Sequence, residues 1–323
     1  MRIQYLLLCI FYLALVPQAA VSQEYPDRLV KVVVPFAAGG ATDVAGRLLA
    51  EGFKARLGQT FLIENKPGAS GAIGIDAVAK SRPDGYTLGI SGVGPSAILF
   101  QVDPSLSYSP TRDLDIVGSI NAVPFILCAR DDFPATNVTE LYDYARQSPG
   151  KVTFGSVGAA SPNHILHEEL ARIGGTKMLH VPYKGEAPII NALLSHEIDI
   201  AFVSAALATE YVTAGKFKAL GAGGSERSPH FPDLPTIAEQ TKVSDYSAYA
   251  WTVLVAPKGL PPQILTKLNA TLNAILAEAA IREKMDKLGL TILGGDIPAA
   301  QAFIAKELAR YEAMIKQNNI TRQ

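Results

Sequence analysis

Cysteine is nearly absent from this chain, with two among 323 residues, Cys9 and Cys128. Cys9 falls inside the N-terminal leader described below, so the remainder carries one thiol and no internal disulfide, and packing alone must hold it together. An excess of charge of either sign is lacking too. The 29 Lys and Arg balance 30 Asp and Glu to a formal net charge of −1, and the basic residues form no stripe. Phosphate binding needs such a stripe, so nucleic acid is not expected as a partner. Past the first 22 residues, no stretch approaches the ~20 residues that span a bilayer without meeting Gly, Pro or charge. Apolar residues are in good supply at 48%, with 18% charged, a composition that is globular rather than disordered.

The sequence signatures of catalysis are missing as well. A nucleophile elbow needs G-x-S-x-G. Gly68-Ala69-Ser70-Gly71-Ala72 and Gly89-Ile90-Ser91-Gly92-Val93 both fail at the last position, and before Ser156 the first glycine is replaced by Phe154. Gly150-Lys151 and Gly215-Lys216 are not followed by Ser or Thr, so no P-loop exists. No CxxC or HExxH occurs. His164 and His167 share one helical pattern beside Glu168, but a third ligand at suitable spacing is missing. No catalytic residue, metal or cofactor is assigned.

What is there begins with a leader. Met1-Arg2 is a short positive start, Tyr5 to Val16 is an unbroken apolar run, and small residues follow at Ala19, Ala20 and Ser22. This is the three-part layout of a secretory signal, so residues 1–22 are expected to be removed near Ala20–Ser22 on export. That deletes one charged residue, Arg2, and leaves 28 basic against 30 acidic, a net of −2. The product is expected to be free in the compartment beyond the inner membrane.

Short β-rich runs then alternate with helical patterns. Strands are expected at 29–34, 60–64, 86–91, 116–120, 125–129, 152–155, 179–181, 198–202 and 253–256. Helices are expected from about Thr42 to Gly58, and at 72–81, 138–147, 162–173, 187–194, 262–287 and 298–316. Strand–helix–strand order at these lengths implies mostly parallel sheets with helices on both faces. Two such blocks appear, 27–125 and 126–249, with the final helices returning to cover the first. No long Gly/Ser linker separates them, which implies two lobes joined by crossing strands with a cleft between.

Two strand-to-helix junctions carry the functional expectation: Pro35-Phe36-Ala37-Ala38-Gly39-Gly40-Ala41-Thr42-Asp43, and Gly155-Ser156-Val157-Gly158-Ala159-Ala160-Ser161-Pro162-Asn163-His164. Small residues let a ligand approach the backbone, and first-turn N–H groups lack internal partners. An anion gains those donors and the helix dipole, and in open α/β sheets ligands sit beyond the carboxyl ends of strands. One junction per lobe makes a pincer for a carboxylate. Each residue also has a plain structural reading. Asp43 reads as a capping or dipole residue as well as a contact. Ser161 before Pro162 reads as an N-cap, and His164 as a polar residue of the first turn.

Several motifs resemble one family. Val34-Pro35-Phe36 running into Gly39-Gly40 and Asp43, then Glu64-Asn65-Lys66-Pro67-Gly68-Ala69-Ser70-Gly71 and Pro83-Asp84-Gly85-Tyr86-Thr87-Leu88, are similar to the Bug-type solute receptors, the substrate-binding proteins of tripartite tricarboxylate transporters. So are His180-Val181-Pro182-Tyr183-Lys184-Gly185, Arg227-Ser228-Pro229 and Pro232-Asp233-Leu234-Pro235-Thr236-Ile237-Ala238-Glu239. The resemblance implies an α/β, two-lobed periplasmic binding protein (type II, Venus-flytrap), with 27–125 plus 250–323 as one lobe and 126–249 as the other. It implies a monomer that captures a small mono-, di- or tricarboxylate or acidic amino acid and hands it to membrane permease subunits, not an enzyme. Residues implied in binding are Phe36, Ala38, Gly39, Gly40, Thr42 and Asp43 at the first junction, and Ser156, Gly158, Ser161 and His164 at the second. Ser70, Ser91, Tyr183 and Ser204 are implied for the rest of the ligand. Tyr183 also reads as a buried ring packing under the hinge. The chain departs from the family at Ala160, where a glycine is usual, at Ser204, where an acid is common, and near Lys242–Tyr246, which lacks a glycine. The same fold also serves receptors that present ligand to a sensor kinase, and a periplasmic enzyme using Asp43 or His164 as a base is the remaining alternative.

Overall fold

The computed structural model describes residues 25–244 and 246–321; the leader expected at 1–22 lies outside them. Ten strands are defined: β1 (Val30–Val34), β2 (Phe61–Asn65), β3 (Thr87–Gly92), β4 (Leu114–Arg130), β5 (Thr153–Ser156), β6 (Leu179–Pro182), β7 (Ile200–Ser204), β8 (Phe217–Ala222), β9 (Tyr249–Pro257) and β10 (Thr291–Ile292). The longer helices are α1 (Ala41–Leu57), α2 (Ala72–Ala79), α3 (Val138–Gln147), α4 (Pro162–Gly174), α5 (Glu186–Leu194), α6 (Ala205–Thr213), α7 (Pro262–Leu276), α8 (Ala279–Lys287) and α9 (Ile297–Gln317).

Burial on both faces explains the first unit. In β1, Val30, Val32 and Val34 pack into one core cluster with Ala45, Leu49 and Phe53 of α1, while Val33 points into the cluster on the other face. That is the period-two alternation of a strand covered on both sides. α1 stops at Gly58, whose left-handed φ of 73° lets its N–H close on the Lys54 carbonyl. A second cluster face in the other half is filled by Ile189, Ile190 and Leu193 of α5 and Ala208 of α6.

The sheet runs β2-β1-β3-β9-β4-β7-β5-β6, with β10 and β8 also paired to β4. Its outer ladders, β1 with β2 and β3, and β5 with β6 and β7, are parallel. The ladders to β4 and β9 are antiparallel. β4 is the spine of both lobes. Its residues up to Pro124 pair with β9, and from Phe125 it pairs with β7 and β8.

Register shows where the carboxyl ends point. β1 and β3 run with β4, and Gly92 aligns through Thr252 with Asn121. β5 and β7 run against β4, and Ser204 aligns with Phe125. The parallel strands of the two halves therefore end towards one another, at the level where β4 changes partners. By the same registers Val34 stands level with Gly118 and Ser156 with Leu127. Nine residues of strand separate those levels, about 30 Å at ~3.3 Å per residue. The two junction loops enter this gap from opposite sides.

Two expectations need correction. The strands expected at 116–120 and 125–129 are one strand, β4. The continuous helical pattern at 262–287 is two helices bent by 72°: Glu278 at the break carries an extended ψ of 131° and receives the Arg56 guanidinium of α1 at 2.7 Å. β8, β10 and α6 were not anticipated. α9 also reaches the other half, where Asn318 beyond its end donates to Glu169 of α4 at 2.9 Å.

Candidate functional site

At the first junction the chain leaves β1 through buried Pro35 and half-buried Phe36, then exposes 37–40. Gly40 is the N-cap of α1, with φ −74° and ψ 164°, and no side chain caps the helix. Its first-turn donors are left open to an external acceptor. The loop is held from beneath by Asp43, which is 2% exposed. Its carboxylate accepts the Gly39 N–H at 2.9 Å, Arg47 Nε and Nη2 at 3.0 Å each, and Asn65 Nδ2 at 2.9 Å. Asn65 also donates to the Phe36 carbonyl at 3.1 Å. The Arg47 guanidinium bonded to Asp43 brings its carboxyl down to about 2. These four bonds fix the loop, with Arg47 and Asn65 as partners that sequence reasoning missed.

The second junction is built on a stack of rings. β5 ends at fully buried Ser156, whose Oγ lies 2.5 Å from His180 Nε2 and accepts the Gly158 N–H at 3.1 Å. His180 is the cross-strand neighbour of Phe154, and its ring stacks on His164 at 4.0 Å between centroids. Burial, with the His164 ring beside it, lowers the His180 pKa to about 4. Phe154 in turn stacks on His167 at 4.5 Å. Burial lowers the His167 pKa to about 3; its Nδ1 lies 2.7 Å from the Asn163 carbonyl, and its Nε2 has no partner among the described residues.

Ser161 caps α4 by accepting the His164 N–H at 3.3 Å, and His164 Nδ1 accepts the Ala160 N–H at 3.2 Å. The two helix starts thus differ: that of α1 has no side-chain cap, while that of α4 is partly satisfied from within. Ala160 adopts φ +55°, a left-handed conformation that glycine would take without a Cβ penalty.

The other candidates are distributed. Ser70 is exposed in the turn Ala69–Gly71 at φ +54°. A Cβ on Gly94 would lie 3.2 Å from the Ser70 carbonyl, and one on Gly71 would meet Pro95 and Pro35 at 3.2 and 3.4 Å. The first junction, the Ser70 turn and the turn after β3 therefore touch. Ser91 is fully buried and its hydroxyl pairs with Ser96 at 2.6 Å. Tyr183 is half-buried against the cluster that holds the α5 and α6 side chains. Its hydroxyl donates to Glu197 at 2.9 Å, and burial together with that bond raises its pKa to about 12. Ser204 closes β7 and gives its N–H to Glu186 Oε1 at 2.7 Å. Glu186 was not anticipated.

Comparisons with known proteins agree with one another. Residues 45–320 match the model of the family described as the tripartite tricarboxylate transporter family receptor. Three solved structures are similar along almost their whole lengths. Rpa4515 of R. palustris, solved with adipate, is 34% identical with a TM-score of 0.82, covering 92% of this chain and 99% of that one. The periplasmic binding protein BugD is 34% identical with a TM-score of 0.78, covering 93% and 100%. MatC from Rhodopseudomonas palustris, with bound malate, is 32% identical with a TM-score of 0.77, covering 90% and 100%.

Proposed function

Because the chain belongs to the tripartite tricarboxylate transporter receptor family, we propose that it is a periplasmic receptor that captures a small carboxylic acid between its lobes and delivers it to membrane permease subunits. The observation that carries this is the register of the sheet, which aims the starts of α1 and α4 at one boundary from opposite sides. Main-chain N–H groups at Gly40–Thr42 grip one side of the carboxylate, and the loop 156–161 closes on the other. Adipate in Rpa4515 and malate in MatC support a carboxylate as the solute, and the periplasmic BugD supports the compartment.

The lobes are taken as 27–125 plus 250–323 and 126–249, divided where β4 changes partners after Pro124 and where β9 begins at Tyr249. Closure is a hinge motion stabilised by the bridging anion. The protein binds and releases its solute unchanged, as a monomer exported by the leader at 1–22.

A thermal-shift screen of mono-, di- and tricarboxylates tests the reading, since a ligand that binds only the folded state raises its melting temperature. At least one acid is expected to do so, with micromolar calorimetric affinity and quantitative recovery of the unchanged acid. A panel without a single shift, or an acid recovered altered, overturns it.

A further inference from the structure

We infer that Glu186 sets the solute class of this site, favouring a carboxylate whose far end is an ammonium and disfavouring a second ionised carboxylate. The inference rests on the reading of the lobe boundary as the carboxylate site. In the second lobe the strands lie in the order β7-β5-β6, and all three end on the boundary edge at Ser204, Ser156 and Pro182. After β6 the chain turns at Tyr183, whose N–H donates to the Ser156 carbonyl at 2.8 Å. It passes Gly185 at φ +136°, where a Cβ would find open space, and starts α5 with Glu186. From there the carboxylate reaches back across the end of β5 to the Ser204 N–H at 2.7 Å, directly before α6. It occupies the donor that a second solute carboxylate would need at that strand end.

The same carboxylate has no cationic partner at the boundary. Glu186 is half-buried, and among the described residues it pairs with no lysine or arginine. Its charge is felt on the spine of the fold: with burial as the larger cause, it helps push the thiol pKa of Cys128 on β4 upward. A fixed, unpaired negative charge facing a binding gap repels a like charge and attracts a cationic group. A carboxylate gripped at the start of α1 and an ammonium turned towards Glu186 satisfy both walls.

The test uses the mature protein and two matched pairs of probes, glutarate with 5-aminopentanoate and adipate with 6-aminohexanoate, measured by calorimetry on the wild type and on Glu186→Gln. Glutamine keeps the acceptor for Ser204 and removes the charge. The amino acid of at least one pair is expected to bind at least tenfold more tightly than its dicarboxylate. In Glu186→Gln that preference is expected to shrink at least tenfold, which is about 1.4 kcal/mol. Dicarboxylates bound as tightly as their amino partners by the wild type, or a ratio unchanged in the variant, overturn the assignment to Glu186 while leaving the carboxylate site standing. If the variant does not fold, the wild-type ratio alone decides. Failure of every probe and every acid of the wider panel overturns the site reading and this inference with it.

Discussion

Asp43→Asn separates an anchor from a ligand contact at the first junction. In the wild type four donors converge on the buried carboxylate. Asparagine keeps one acceptor oxygen but turns the other position into an NH2 facing the Gly39 N–H and Arg47 Nε. A hydrogen bond to a charged group contributes roughly 1.5–3 kcal/mol, and leaving a buried donor unsatisfied costs a similar amount. Arg47 is half-exposed, so water replaces most of its share, and the loss falls chiefly on the part-buried Gly39 contact with the buried carboxylate. The variant is therefore expected to lose about 2 kcal/mol, or about 3 °C in Tm for a chain of about 300 residues. The sign with pH follows from the lowered carboxyl: its folded pKa of about 2 lies below the ordinary aspartate value of 3.8. The stabilisation is present above about pH 4 and is lost as pH falls towards 2. Urea denaturation of both proteins from pH 7 to pH 2 should show a difference that is constant near neutrality and closes in acid. A variant of unchanged stability that has lost carboxylate binding would refute the anchor.

Other expectations follow from the same geometry. Gly40→Leu fits the backbone, since φ is −74° and a Cβ meets only the Ala37 carbonyl at 3.6 Å; calorimetry should find carboxylate affinity at least tenfold weaker at unchanged Tm, and unchanged affinity would count against the grip. Buried His167 refuses the proton that the unfolded chain accepts below about pH 6.5, so its folded pKa of about 3 costs about 1.4 kcal/mol per pH unit on acidification, roughly 3 kcal/mol by pH 4. His167→Phe should flatten that limb of the stability profile, and an identical slope would contradict this. Glu307, 1% exposed, accepts from Trp251 Nε1 at 2.9 Å, the Tyr249 hydroxyl at 2.8 Å and Arg310 Nη2 at 2.6 Å. Glu307→Gln leaves Arg310 without its counter-charge and should cost about 3–5 kcal/mol in denaturant; a loss under 1 kcal/mol would show the cluster to be slack.

The first βα unit was legible because β1 is a valine run broken only by exposed Lys31 and followed by turn residues, and α1 keeps one apolar face up to Gly58. The two junctions were legible for the same local reason. β4 was not, because Pro124 reads as a strand breaker. It is tolerated at the last pair with β9, Pro124 with Tyr249, where the spine trades partners. The break between α7 and α8 lacks Gly or Pro and rests on Arg56 meeting Glu278, a contact between elements 222 residues apart. Sequence placed Ser91 and Tyr183 at strand ends but could not say that their hydroxyls are committed to Ser96 and Glu197. Nor does local pattern reveal that His180 braces Ser156, or that Glu186 reaches Ser204 across a neighbouring strand. Those pairings exist only once the sheet order is known.

The most direct measurement is a crystal structure of the complex with whichever acid the thermal screen selects. One carboxylate is expected within hydrogen-bond distance of main-chain N–H groups in Gly40–Thr42, with the 156–161 loop closed over its other side. A solute seated away from both helix starts, with those N–H groups bonded to side chains instead, would contradict the account.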